Sequence, residues 1–240
     1  MKTWKTRNGI EITRLIHGRS NVYLVRNDRK SLLVDSAVAA ERPVLLPRIR
    51  KTTAGRGPDM IILTHTHFDH AGNVAAIRER YGCPVAVHAT EAGYLREGYS
   101  PLPVIVSGPL QFLNRFDKNR LRAVVRTKPA EAGILVDEEL DLDPDGIAAK
   151  IIHTPGHTAG SLTLVVDDEY ALVGDNMVNI PWQRIFPPFC DDVPALLRTW
   201  ERLLASPVKV FLPAHGWPFT HETLEASFIR HSDRWKQNHG

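Results

Sequence analysis

Cysteine is nearly absent from this sequence: Cys83 and Cys190 are the only two in 240 residues. Neither stands in a Cys-x-x-Cys pair, which excludes a thiolate zinc finger or a dithiol redox motif. Two isolated cysteines are expected to be free, packed thiols rather than a disulfide framework. Long apolar runs are also missing. No stretch of about 18 apolar residues occurs, so no membrane-spanning helix is expected. Residues 1–11 lack the apolar core of a secretory signal, and the expected compartment is the cytoplasm. Charge of one sign is scarce: 30 basic against 27 acidic residues leave +3. That excess is too small to argue for nucleic acid as a partner.

What remains is the composition of an ordinary globular chain, 43% hydrophobic and 24% charged. It is long enough for one domain with a substantial core. The unusual component is histidine, 11 residues that fall in clusters.

The pattern along the chain alternates short apolar runs with helical segments. Residues 21–25 and 31–35 flank the polar tetrad Arg26-Asn27-Asp28-Arg29 and predict a β-hairpin. A helix is expected over 41–51, with Pro43 in its first turn. The run 60–64 reads as a buried strand. A helix over 73–81 follows, with Asn73 as N-cap and Gly82 as stop, then a strand over 84–88. This is the βαβ rhythm of a layered α/β domain. Residues 94–129 interrupt it with Pro101, Pro103 and Pro109 and a basic stretch, and read as an insertion or lid. Strands are expected at 134–136, 147–153, 161–166, 170–173 and 208–212. Helices are expected at 193–205, capped by Asp191 or Asp192, and at 220–237.

The densest signal is Thr64-His65-Thr66-His67-Phe68-Asp69-His70, directly after the buried run 60–64. In an extended segment residues i and i+2 point the same way, so His65 and His67 can meet one cation. A turn then lets Asp69 and His70 reach a second. The next signal is His153-Thr154-Pro155-Gly156-His157, where the Pro-Gly turn presents His157 and His153 reads as structural. Gly174-Asp175 and Ala214-His215-Gly216 each follow a further apolar strand. Buried carboxylates and imidazoles are costly unless paired or coordinated, and four strand ends carrying them point to metal.

The order His-x-His-x-Asp-His, Pro-Gly-His-Thr, Gly-Asp, Ala-His-Gly resembles the metallo-β-lactamase superfamily over residues 10–216. The resemblance implies a four-layer αβ/βα sandwich, an α/β fold of two mixed sheets with outer helices and a metal site at one edge. It assigns His65, His67 and His157 to a first metal. Asp69, His70 and His215 go to a second, and Asp175 bridges the two. Nitrogen and oxygen ligands without thiolate suit two zinc ions, and also manganese or iron.

The resemblance implies a metal-dependent hydrolase that cleaves an ester, thioester or lactone with a hydroxide held between the metals, oriented by Asp69 as the catalytic residue. Three departures narrow the branch. A β-lactamase with a Cys ligand lacks the carboxylate that Asp175 supplies. Glyoxalase II-like enzymes carry a histidine where Thr66 stands, and a glycine- and arginine-rich stretch where Asn176-Met177-Val178-Asn179 stands. Lactonases place a tyrosine at the position of Val178. Two other chemistries compete on this fold: a persulfide dioxygenase with one iron, and a phosphodiesterase or nuclease. The expected partner is a small-molecule substrate. The six basic residues within 115–128 are either a solvated face or a field that draws an anionic one, and Trp182, Phe186 and Phe189 are either core residues or a wall of its pocket. The insertion is also a candidate interface for a homodimer.

Overall fold

In the computed structural model, residues 1–102, 104–106, 125–181 and 183–239 are described. The first half builds one sheet. Strands β1 (Lys2–Lys5), β2 (Glu11–His17), β3 (Asn21–Arg26), β4 (Ser31–Val34), β5 (Met60–Ile62), β6 (Val85–His88) and β7 (Ile134–Val136) lie side by side in chain order. The first four pair antiparallel, as tight connections allow. From β4 to β7 the pairing is parallel, because α1 (Arg42–Thr52) and α3 (Val74–Tyr81) supply crossovers. The 21–25/31–35 hairpin forms as expected. Asn27 Oδ1 accepts from the backbone N–H of Arg29 and of Lys30, both at 2.8 Å, and closes the turn.

The second sheet runs in the order β14 (Phe219–Thr220), β13 (Val210–Gly216), β11 (Tyr170–Ile180), β10 (Leu162–Val166), β9 (Ala149–His153), β8 (Glu139–Asp141), with β12 (Gln183–Ile185) against β11. In this sheet, among the described residues, only β11 and β13 run parallel, joined by α5 (Val193–Leu204). Asp192 caps α5 by accepting from Ala195 N–H at 2.9 Å. The closing helix α6 spans His221–His239.

Alternation along the strands distributes the apolar side chains among three cores. Tyr23, Val25, Leu32, Val34 and Ile62 meet Ile151, Leu162, Leu164, Leu172 and Leu212 between the sheets. Their sequence neighbours Val22, Leu24, Leu33 and Ile61 face the other way, onto Leu45, Ile49, Val74 and Ile77 of α1 and α3. On the far side Val165, Val173 and Phe211 pack on Leu196, Trp200 and Leu203 of α5. The layers are helix, sheet, sheet, helix, the expected αβ/βα arrangement. Cys83 and Cys190 are buried free thiols. Among the described residues no helix is long and apolar enough to cross a membrane.

The structure departs from the sequence reading in several places. Residues 2–5 form an edge strand that polar, mixed-charge residues gave no reason to expect. Strand β11 does not stop at Val173 but runs on to Ile180, and β13 extends to Gly216. Asn73 does not cap α3 with its side chain. Its amide donates instead to the backbone O of Ser36 and Val38 at 2.7 and 2.8 Å, tying the β4–α1 loop to the metal motif. Of the 94–129 insertion, α4 (Ala92–Glu97) leads in, Tyr99 bridges Arg126, and Ile105 bridges Phe189. Residues 107–124, with most of the basic stretch, lie outside the described residues, as does Trp182.

Candidate metal centre

All seven candidate side chains converge at one edge, where the loops of the two sheets meet. His65 and His67 leave β5 in extended backbone, and the short helix α2 (Phe68–Ala71) turns Asp69 and His70 inward. His157 comes from the turn after β9. Two glycines make the opposite side buildable. Gly156 has φ +147° and lies against the backbone of α5, where a Cβ would be 2.6 Å from Leu196 Cα. Gly174 has φ +54° and packs on the Thr64 side chain.

Asp175 is not at a strand end, as the sequence reading placed it, but in a bulge within β11. Gly174 pairs with Pro213 and Val178 with His215, four steps of β11 against two of β13. The surplus residues bend the strand and carry Asp175 into the site. His215 is set by the first sheet: Asn21 Nδ2 and Tyr23 OH both donate to Pro213 O at 2.9 Å.

The ligand atoms fall into three groups that could hold a metal ion: His65, His67 and His157; His65, His70 and Asp175; Asp69, His70 and His215. Within each group they lie within 4.8 Å of one another. Asp175 stands between, 3.4 Å from His70 Nε2, 3.8 Å from His157 Nε2 and 3.2 Å from His215 Nε2. Asp69 Oδ2 is 3.6 Å from His215 Nε2. Three buried atoms in this cluster, His65 Nε2, His70 Nε2 and Asp175 Oδ1, have no hydrogen-bond partner among the described residues. Buried polar atoms are rarely left so, and inward-facing imidazole nitrogens beside a carboxylate oxygen are a donor set that suits a divalent cation. The residues therefore fit a metal.

The outward nitrogen of His65, His67, His70 and His157 is fixed by a partner, which sets the tautomer. His70 Nδ1 donates to Asp35 Oδ2 at 2.8 Å. His157 Nδ1 donates to Phe189 O at 2.9 Å, and His67 Nε2 to Pro101 O at 3.0 Å. Thr64 Oγ1 donates to Asp35 at 2.9 Å and accepts from His65 Nδ1 at 3.2 Å. His65, His70 and His157 thus turn Nε2 inward, and His67 turns Nδ1.

Electrostatics divide the rings. Burial drives His65 well below the usual imidazole range and lowers His67 and His157 to about 4. Burial acts the same way on His70 and His215, but Asp175 outweighs it and raises both. Burial would raise Asp175; His215 and His70 instead hold it well below the carboxylate range.

Three residues that the sequence reading did not single out position this set. Asp35 orients His70 and, through Thr64, His65. Asn176, buried beside Asp175, accepts from His157 N–H at 3.1 Å and donates to Thr154 O at 2.6 Å. Glu91, buried, accepts from Thr66 N–H at 2.9 Å and from its hydroxyl. Thr66 therefore points away from the site. His153 stands outside the cluster, stacked on His88 at 4.1 Å. Phe186 is a core residue stacked on His231 and not a pocket wall, whereas Phe189 is 38% exposed.

The family model described as the metallo-beta-lactamase superfamily matches residues 15–215, and the chain belongs to that superfamily. The probable metallo-hydrolase YflN of Bacillus subtilis is 26% identical, over 94% of this chain and 93% of its own length. The hydroxyacylglutathione hydrolase of Acidiphilium cryptum is 26% identical, over 94% and 74%. The human acyl-coenzyme A thioesterase MBLAC2 is 24% identical, over 86% and 76%. Among solved structures, the B3 metallo-beta-lactamase BLEG-1 superposes with a TM-score of 0.67 at 25% identity, covering 88% of this chain and 95% of that one. TTHA1623 in a di-iron-bound form gives 0.63 at 26%, covering 89% and 96%.

Proposed function

We propose that this protein is a binuclear metallohydrolase, most simply a zinc enzyme, that cleaves ester or thioester bonds, with lactones in the same chemical class. The observation that carries the reading is the set of orphaned inward atoms, His65 Nε2, His70 Nε2 and Asp175 Oδ1. They lie among seven ligand-type side chains, and the other nitrogens of His65, His67, His70 and His157 are already committed. His65, His67 and His157 would hold one ion, Asp69, His70 and His215 the other, with Asp175 shared. Bound there, the ions supply Lewis acidity and a water acidic enough to ionise near neutral pH. A hydroxyacylglutathione hydrolase and an acyl-coenzyme A thioesterase among the relatives favour a thioester.

The chain's own groups then do the rest. Asp69 stands at the mouth and its carboxylate accepts a hydrogen bond from the attacking water, aiming the lone pair. Asp35, Phe189 O and Pro101 O hold the imidazoles rigid, so that little reorganisation accompanies charge development.

The test is a panel of a thioester, a lactone, an aryl ester and a phosphodiester on metal-loaded protein, with metal counted in the same sample. About two ions per chain and turnover of one acyl class, both lost in Asp175→Ala, are expected. One iron per chain with no acyl hydrolysis would replace this reading with the oxygenase. Preference for the phosphodiester would replace it with a nuclease.

A further inference from the structure

The loop between β2 and β3 carries a cation to the edge of the site. Ser20 Oγ donates to Asp69 O, which pins the loop to α2. Arg19, one residue earlier, lays its guanidinium over the Phe68 ring, 4.8 Å from the centroid. Its Nε lies 3.9 Å from Asp69 Oδ2, and 63% of its side chain is exposed. That separation is beyond hydrogen-bond length, and a pair so exposed contributes little. Among the described residues, Arg19 is the one arginine or lysine paired with a carboxylate of the cluster. Its five donors are preoriented by the ring beneath, and none is engaged in a hydrogen bond within the described residues. A planar fork of this kind matches a carboxylate.

The two ends of the site differ. At the Asp69 and His215 end stand Arg19 and the exposed ring of Trp217, which His17 of β2 props edge-on at 5.9 Å. At the His67 and His157 end the backing groups are Pro101 and Phe189, with Val104 close by, hydrogen-bonded to Cys190. Val104 and Phe189 are exposed apolar side chains. A substrate lying across the site meets an apolar wall at one end and, at the other, a guanidinium that is loosely paired with Asp69 and makes no hydrogen bond among the described residues.

We propose that Arg19 is the anion seat of the substrate site, and that the substrate is an acyl ester or thioester whose leaving group bears a carboxylate a few bonds from the reacting carbonyl. The acyl chain lies toward Val104 and Phe189. This rests on the hydrolase reading above. Arg19 touches substrate only through its charge and fork. It determines specificity and takes no part in bond making.

Two butyryl thioesters that differ chiefly in the charge of the leaving group test it: that of 3-mercaptopropionate and that of its N-methylamide. Wild type is expected to favour the carboxylate in kcat/KM by about 10- to 100-fold, the worth of hydrogen bonds to a charged group. Arg19→Glu is expected to reverse the preference, and Arg29→Met, on the distant β3–β4 turn, to keep it. Calorimetric titration of glutarate into metal-loaded protein gives a second readout without turnover, and its affinity should fall by a similar factor in Arg19→Glu. Equal rates on the two thioesters in wild type would overturn the inference and leave the hydrolase standing. So would loss of metal from Arg19→Glu, since Arg19 would then serve Asp69 and not the substrate. Arg19-dependent glutarate binding without hydrolysis of either thioester would overturn the hydrolase and keep the anion seat.

Discussion

Asp35 and His70 are joined across 35 residues of sequence by a hydrogen bond of 2.8 Å, from imidazole Nδ1 to carboxylate Oδ2. Both groups are buried, and Asp35 holds a left-handed backbone at φ +61° to reach the ring. An isosteric amide cannot reproduce this. Asp35→Asn is expected to weaken metal binding about 10- to 100-fold, read by competition with a chromophoric chelator. Unchanged affinity would mean that His70 does not depend on Asp35 for its orientation.

The metal-free protein should be most stable near pH 6.5. His67 and His157 have folded values of about 4 against an ordinary 6.5. Between these values the unfolded chain binds more protons, so stability falls on acidification at roughly 2.7 kcal/mol per pH unit for the two groups. His70 and His215 are raised; their contribution is complete below 6.5 and is lost as pH rises through their folded values. Asp175 is depressed, and its contribution disappears only in stronger acid, below 3.8. Denaturant titrations across pH 4–9 check the curve, and stability that kept rising above pH 7 would contradict it.

Gly174→Ala places a methyl 2.7 Å from Thr64 Cβ and Oγ1, on a backbone at φ +54°. Strain and overpacking together should cost roughly 2–4 kcal/mol. Because Thr64 links Asp35 to His65, metal affinity should fall along with the denaturation midpoint. A stability loss with metal binding intact would separate the two roles.

Glu91→Ala leaves the buried N–H and hydroxyl of Thr66 without their acceptor. Each stranded group costs about 1–3 kcal/mol. Thr66 sits between His65 and His67, so kcat should fall too, and Glu91→Gln should restore most of both. Equal behaviour of the alanine and glutamine variants in thermal melts and turnover would remove Glu91 from the positioning set.

The ligand-type residues were legible because their chemistry is local: histidines and aspartates following apolar strands. The sandwich was legible through the resemblance that the order of the motifs carries, and the buried run at β5 agreed with it. What escaped was non-local. Asp35 and Glu91 look like ordinary loop acids until the fold sets them beside His70 and Thr66. Asn176 carries no pattern of its own. The bulge at Asp175 depends on its pairing with β13, which no window of sequence contains. The sequence left Phe186 open between core and pocket wall, and packing against Trp200 and His231 decides for the core.

The cluster lies on the seam between two halves of the chain, with His65 to His70 on one side and His157, Asp175 and His215 on the other. During synthesis the first four emerge long before the rest, and His215 comes last. On the ligand assignment proposed here, a growing chain can gather His65, His67, His157 and Asp175 around one ion but cannot complete the second set until β13 brings in His215. Asn21 and Tyr23 receive that strand through the Pro213 carbonyl. The two-ion centre would then appear only once β13 is in place, so a copy that has not yet added that strand would be hydrolytically silent.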